Sequence, residues 1–250
     1  MSMEVEQRGA IRMLRINRPD RLNALDEESN RACKEFFEGV RDDPEVRAAI
    51  ITGTGDRSFC AGSDLKAGAN SPMKVSVGGI TKDVHIFKPV IAAINGLAFG
   101  GGLEIVLACD MRIAVPSATF AVPEAKVGLF AGGGGAVRLA YNLPWAIASE
   151  MHLRSRVLGA EEALHFGLIN KIVEPDELID TTWRWAEEAA SHAPLALAAA
   201  KEVQWRSRGM DLMSALAIEE EYSTRIKTSK DAAEGVEAFQ QKRTPRFTGE

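Results

Sequence analysis

The stretch from Lys88 to Val115 constrains the fold of this chain more than any other. It is apolar enough to suggest a membrane span, yet Asn95, Glu104 and Asp110 interrupt it, and Gly96, Gly100, Gly101 and Gly102 punctuate it. A spanning helix needs about 20 predominantly apolar residues and rarely carries acids. The pattern instead fits a buried strand at 89–94, a turn, a helix at 100–108 and another strand at 111–115. A similar run at 48–52 reads as a buried strand, and 120–122 as a further one. This rhythm predicts an α/β protein of repeated ββα units, with helices covering parallel strands.

The remainder is read around that centre. Residues 3–7 and 11–16, joined at Arg8-Gly9, suggest a β-hairpin. Asp26 is a candidate N-cap, with Glu27 and Glu28 suiting the positive end of a helix whose apolar face carries Phe36, Phe37 and Val40. Residues 53–65 read as loop to about Ser63. Between 66 and 88, Gly68, Ser71, Pro72, Gly78 and Gly79 suggest a loop before a helix ending near Phe87. After residue 136 strand-like runs become rare, apart from 168–173. Helical periodicity covers 145–154, 160–166, 176–191, 195–207, 211–226 and 230–240, with Pro144, Pro175 and Pro194 at helix starts. The expected division is an α/β core over 1–190 and a helical region over 191–250. The apolar bulk of Trp183, Trp185, Leu195, Leu197, Trp205, Leu212, Met213 and Leu216 suggests that much of the helical third is covered by other subunits.

Composition excludes several classes. Of 250 residues 46% are hydrophobic and 26% charged, which is globular rather than disordered. A net charge of -5 does not favour nucleic acid or an anionic membrane. Cys33, Cys60 and Cys109 show no paired spacing, so neither a disulfide framework nor a zinc site is indicated; a reducing, cytoplasmic setting is expected. The N-terminus has no apolar secretory segment. The phosphate loop, the zinc-protease pair and the serine-hydrolase elbow are all missing. His85, His152, His165 and His192 fall in expected helices without ligand spacing. Gly132-Gly133-Gly134-Gly135 lacks a dinucleotide fingerprint.

Two glycine clusters carry more. Phe59-Cys-Ala-Gly-Ser-Asp-Leu65 and Asn95-Gly-Leu-Ala-Phe-Gly-Gly-Gly-Leu-Glu104 each put small residues where a strand turns into a helix. The first amides of a helix have no intrahelical acceptor. Two such turns facing each other would aim two N–H donors at one oxygen, as in an oxyanion hole; the other reading is that the glycines only permit tight turns. A side chain at Gly101 would then intrude where a carbonyl approaches. Glu104 sits among apolar neighbours in a first helical turn, and Glu124 follows an apolar strand. Each is either a buried acid of raised pKa or a solvated cap.

In this order, Phe-Cys-Ala-Gly-Ser-Asp-Leu, Ala-Ile-Asn-Gly-Leu-Ala-Phe-Gly-Gly-Gly-Leu-Glu and Phe-Ala-Val-Pro-Glu-Ala-Lys-Val-Gly-Leu, the chain resembles the enoyl-CoA hydratase/isomerase (crotonase) superfamily. The match runs from Arg18 to Arg243. It implies a crotonase-like core of ββα units with a helical C-terminal trimerisation region, assembled as a homotrimer or homohexamer. It puts oxyanion donors at the backbone N–H groups of Ser63 and Gly101, and acid/base groups at Glu104 and Glu124. Gly132 falls where family hydratases use a backbone N–H to hold the reacting water. Ala24, Ser63, Asp64, Leu65 and Lys66 would line the coenzyme A groove, with Lys66 either near the adenosine phosphates or merely solvated, and Lys242 is a further contact. No metal or separate cofactor is implied, since coenzyme A arrives with the substrate.

Both glutamates together favour water addition, an enoyl-CoA hydratase (a lyase) acting on a 2-enoyl-CoA thioester. Monofunctional isomerases of the family commonly keep one. Ala131-Gly-Gly-Gly-Gly135 departs from the Pro-Gly-x-Gly-Gly of many hydratases, which bears on the shape of the acyl pocket. Residues 59–67 and 144–170 look similar to carnitinyl-CoA dehydratases. The alternatives are a 3-hydroxyacyl-CoA or carnitinyl-CoA dehydratase, a Δ3-Δ2 isomerase, and outside enzymes a crotonase-fold RNA-binding protein, which the acidic charge and missing basic helix oppose.

Overall fold

The computed structural model describes residues 2–67 and 75–250, and among these it has ten strands and nine α-helices. The strands are β1 (Met3–Arg8), β2 (Ile11–Ile16), β3 (Ala48–Gly53), β4 (Ser58–Cys60), β5 (Val90–Ile94), β6 (Leu97–Phe99), β7 (Met111–Ala114), β8 (Thr119–Ala121), β9 (Leu158–Gly159) and β10 (Lys171–Ile172). The helices are α1 (Glu27–Asp42), α2 (Gly101–Ala108), α3 (Gly135–Asn142), α4 (Trp145–Leu153), α5 (Ala160–His165), α6 (Leu178–Ser191), α7 (Pro194–Arg206), α8 (Leu212–Lys227) and α9 (Lys230–Gln241).

The strands form two sheets, ordered β1-β2-β3-β5-β7-β10 and β4-β6-β8-β9. Consecutive strands alternate between them: β3 then β4, β5 then β6, β7 then β8. This is the repeated ββα unit that the sequence suggested, and the chain is of mixed α/β class. In the large sheet β2, β3, β5, β7 and β10 run parallel, with β1 closing the edge antiparallel. Every residue of β3 and β5 is buried, which is why these strands read as continuous apolar runs rather than alternating ones. The one hydroxyl inside this layer, on Thr52, donates to the Ala93 carbonyl at 2.8 Å.

Local signals explain most boundaries. The hairpin turns at Gly9, whose φ is +53°. Asp26 caps α1 by accepting the Ser29 amide, while Phe37 and Val40 pack into the core. Pro194 opens α7, and Asp211 and Ser229 cap α8 and α9 through their side chains.

Other expectations change. Gly68, Ser71 and Pro72 lie outside the described residues. From 75 to 88 the described chain is turn and coil, not a helix ending near Phe87. Gly78 and Gly79 take φ of +63° and +67°, a conformation no right-handed helix contains. His85 therefore stands outside any helix and packs against the Trp205 ring at 4.9 Å. His192 is the C-cap residue of α6 rather than part of it. The three-residue strands β4 and β6 were hidden within what read as loop and turn, and α3 behind a run of four glycines. Trp183 is not subunit-facing: it is only 2% exposed and sits in the chain's own core, where α6 lies on the large sheet. All three cysteines are free and buried, and burial pushes Cys60 and Cys109 up to about 12.

Arg112 on β7 ties the layers together. Its guanidinium is buried and donates to the carbonyls of Val106, Leu107, Cys109 and Leu168 and to Oδ1 of Asn142. Three of those carbonyls close the C-terminal end of α2, where a cation also meets the negative end of the helix dipole. Burial lowers the pKa of this group, but the acceptors surround it. Arg112→Met should cost at least about 3 kcal/mol, because several buried carbonyls are stranded at about 1–3 kcal/mol each. Urea unfolding against the wild type measures it, and a loss under about 1 kcal/mol would show that water replaces the guanidinium.

Candidate active site

The site is built where three parallel strands end side by side. Strand β4 pairs with β6, and β6 with β8, all parallel. Their carboxyl ends therefore deliver three connections to one edge: residues 61–64 after β4, Gly100-Gly101 after β6, and Pro123-Glu124 after β8. Open parallel sheets generally bind ligands at this edge. The cavity there has a volume of about 600 Å³, and its lining includes Gly62, Ser63, Gly101, Glu104, Glu124 and Gly132.

Close backbone approach explains the small residues. A Cβ on Gly62, which has φ of +92°, would lie 2.9 Å from the Gly101 nitrogen. A Cβ on Gly102 would overlap the carbonyl oxygen of Cys60. The two turns touch main chain to main chain, so no larger residue fits between them. Among the described residues neither the Ser63 nor the Gly101 amide donates to a protein acceptor. Gly101 is the first residue of α2, where such an amide is left over. Glycine at 101 also has a packing reason: its Cβ would lie 2.6 Å from Cγ1 of Val77, another residue of the cavity lining.

A second loop fixes the first. Leu25 and Ser63 form a parallel bridge, with the Leu25 amide donating to Gly62 O at 2.8 Å and the Asp64 amide to Leu25 O at 2.9 Å. Arg18 donates to the Ala24 carbonyl and forms ion pairs with Asp26 at 2.9 Å and Asp64 at 3.1 Å. Asn23 and Asn95, both buried, hold the backbone entering β4. Asn23 donates to Thr54 O and Ser58 O, and Asn95 to Gly55 O and Ser58 O. Sequence reasoning missed Arg18, Asn23 and Asn95 as positioning residues. Nothing in periodicity marks an asparagine that satisfies a distant loop.

Glu104 is buried in the first turn of α2, and Oε1 accepts the Gly135 amide at 2.8 Å. Burial raises its pKa, opposed in turn by the Gly135 and Gly133 amides and by the charges of Lys82 and Arg138. The four-glycine run is thus a carboxylate cradle, a role its spacing did not announce. Glu124 begins a short 3-10 turn, Glu124–Val127. Its carboxyl lies over Gly100, and Oε2 is buried without a partner. Burial raises its pKa, against the pull of its own amide, and the negative charge of Glu104 adds a smaller push upward.

The other expected groove residues are placed as follows. Ser63, Asp64 and Leu65 line the cavity. Ala24 is buried and Lys66 exposed, each next in the chain to a lining residue, Leu25 and Leu65, but neither is part of the lining. Asp64 is engaged by Arg18 and also accepts the Lys66 amide at 3.1 Å. Lys242 is exposed at the end of α9 and lies outside this cavity's lining. Among the described residues no three His, Cys, Asp or Glu side chains gather as metal ligands.

Residues 6–250 match the model of the enoyl-CoA hydratase/isomerase family. The chain is 42% identical to a carnitinyl-CoA dehydratase of Proteus mirabilis (strain HI4320), over 99% of its length and 98% of the relative's. It is 38% identical to the (E)-benzylidenesuccinyl-CoA hydratase of Thauera aromatica, over the full length of both. Its fold is similar to the crystal structure of an enoyl-CoA hydratase from Mycobacterium tuberculosis H37Rv, with a TM-score of 0.94, 38% identity and coverage of 100% and 99% of the two chains.

The unpartnered Glu124 oxygen has a measurable cost. A carboxyl whose folded pKa is raised is penalised once it ionises. The penalty is absent below the unfolded value of 4.5, where both states are protonated, and develops as pH rises through the folded pKa. Glu124→Gln should therefore raise Tm at neutral pH and leave it nearly unchanged in acid. Melts of both proteins across that range test it, and an equal effect at both ends would mean that charge is not the cause.

Proposed function

The chain belongs to the enoyl-CoA hydratase/isomerase family, and we propose that it adds water reversibly across the double bond of a 2-enoyl-CoA thioester. One buried and one half-buried carboxyl on one cavity, whose wall presents two unbonded amides, carry this reading. The thioester oxygen accepts hydrogen bonds from the Ser63 and Gly101 N–H groups. The polarised carbonyl makes the β-carbon electrophilic. Glu104, as carboxylate, takes a proton from water while the oxygen adds to that carbon; the Gly132 N–H helps to hold the water. The resulting enolate is stabilised by the two amides, each worth about 2.7–4 kcal/mol in comparable sites. Glu124 gives its proton to the α-carbon. The environments suit this division: amides and cations favour ionised Glu104, whereas Glu124 has a bare buried oxygen and a negative neighbour.

Elimination from a 3-hydroxyacyl-CoA passes through the same transition state in reverse. The likeness to a carnitinyl-CoA dehydratase favours testing that direction too. Coenzyme A enters as part of the substrate, lying along Ala24 and residues 63–66 with Lys242 as a further contact, and no separate cofactor takes part. The side chain of Asp64 being held by Arg18, this segment meets the coenzyme mainly through its backbone. The reading places the enzyme in the cytoplasm, with no nucleic-acid or membrane partner; among the described residues no helix is long and apolar enough to cross a membrane.

Residues 191–250 are the assembly region of a homotrimer or homohexamer in this reading. Support comes from apolar side chains left open on one chain: Leu212 is 71% exposed, Met213 74% and Phe239 86%. A monomer rarely exposes large contiguous apolar surface. Light scattering should report three or six chains, and a stable single-chain mass at working concentration would overturn the assembly.

Glu104→Gln and Glu124→Gln should each lower kcat by about 10²–10⁴-fold. Loss of the conjugated-thioester absorbance, followed across a panel of 2-enoyl and 3-hydroxyacyl thioesters, measures this. Wild-type turnover in either variant would refute the paired-carboxylate mechanism.

A further inference from the structure

We propose that Arg138 is a positioning residue for Glu104: it clamps the glycine turn whose amides hold that carboxylate. The proposal deepens the hydratase reading and rests on it for its kinetic part. Arg138 lies on α3, and its Nη1 donates to the Gly133 carbonyl at 3.2 Å while Nη2 donates to the Thr81 carbonyl at 2.7 Å. One planar cation thus bridges the glycine turn and the segment opposite it, a geometry suited to guanidinium. Room for it exists only because residue 134 is glycine: with φ of +103°, a Cβ there would overlap Nη1. At the same turn a Cβ at 133 would overlap Oε2 of Glu104, and the Gly135 amide donates to Oε1. Guanidinium and carboxylate therefore both contact the one turn formed by residues 133–135.

The clamp is itself braced. Asn142 donates to the Arg138 carbonyl at 2.7 Å and accepts from Arg112 at 3.0 Å, which joins α3 to the buried end of α2. No carboxylate forms an ion pair with Arg138 among the described residues. Its charge therefore remains available to Glu104. The charged and titratable groups around the Glu104 site are Lys82 from the 75–88 segment, Arg138 from α3, Glu124 from the turn after β8 and His152 from α4 beside the Gly135 backbone, while Arg208 acts on Arg138. Arg138 and Lys82 favour the ionised form that a base requires, against burial.

The test combines kinetics with the titration of Glu104, read from side-chain carboxyl carbon resonances and assigned by their loss in Glu104→Gln. In Arg138→Gln, Glu104 should titrate at higher pH than in the wild type. The acid limb of the kcat profile should move the same way. Misplacement of the turn should lower kcat by roughly 10- to 100-fold with KM little changed. Arg138→Lys keeps the charge but offers no fork, so it should restore the titration and only part of kcat. A Glu104 titration unmoved by Arg138→Gln overturns the proposal. Should the glutamine variant not fold, Arg138→Lys decides: full wild-type kcat there overturns the clamp, and reduced kcat with an unmoved acid limb supports it. Absence of hydration by the wild type would refute the hydratase reading alone, since the titration needs no substrate.

Discussion

Two backbone turns lie in contact with no side chain between them, and the geometry of the candidate site follows from that contact. Gly62 faces the Gly101 amide, and Gly102 faces the Cys60 carbonyl, each at a separation that excludes a Cβ. The contact is possible because β4 and β6 pair in parallel, so the chain leaves both at the same edge. It leaves the Ser63 and Gly101 amides without protein acceptors. Such donors cost little reorganisation when an oxygen arrives, because the strands behind them are already fixed.

Electrostatics then depends on this frame. Glu104 is carried on the first turn of the helix that Gly101 begins, so its place is set by the same turn. Burial would keep it protonated, but the amides of the glycine run and the charges of Lys82 and Arg138 act against burial. Glu124 has only its own amide against burial, and the negative charge of Glu104 raises it further. Burial pushes both carboxyls upward, but amides and cations offset it at Glu104 more than a single amide does at Glu124, a difference that acid/base chemistry can use. The stability lost in burying them is carried by a core in which β3 and β5 are wholly enclosed.

Much of this was legible in the chain. Continuous apolar runs marked β3 and β5 because strands buried on both faces need no polar alternation. Asp26, Pro194 and the C-terminal helices announced themselves through caps and periodicity. The glycine clusters and the two glutamates, in their order, pointed to the family and to the residues that the structure brings around one cavity. The elements that escaped were β4, β6, β9 and α3. The three strands are two or three residues long, too short for any period to register, and α3 begins in glycines that discourage a helical reading. The helix expected before Phe87 failed for a local reason, the positive φ of Gly78 and Gly79.

What the sequence determined by itself was local: which segments are apolar, where helices begin, and which small or acidic residues stand at strand ends. What only the tertiary structure decided is which of these meet. One reason that residue 101 is glycine is Val77, and Asp64 is engaged by Arg18, 46 positions away. Gly133 and Gly135 serve a carboxylate about 30 positions earlier, with Arg138 gripping the same turn. Such contacts join residues far apart in the chain, and their free energy depends on distance, burial and direction in space. None of these quantities is carried by a residue's identity or by its immediate neighbours.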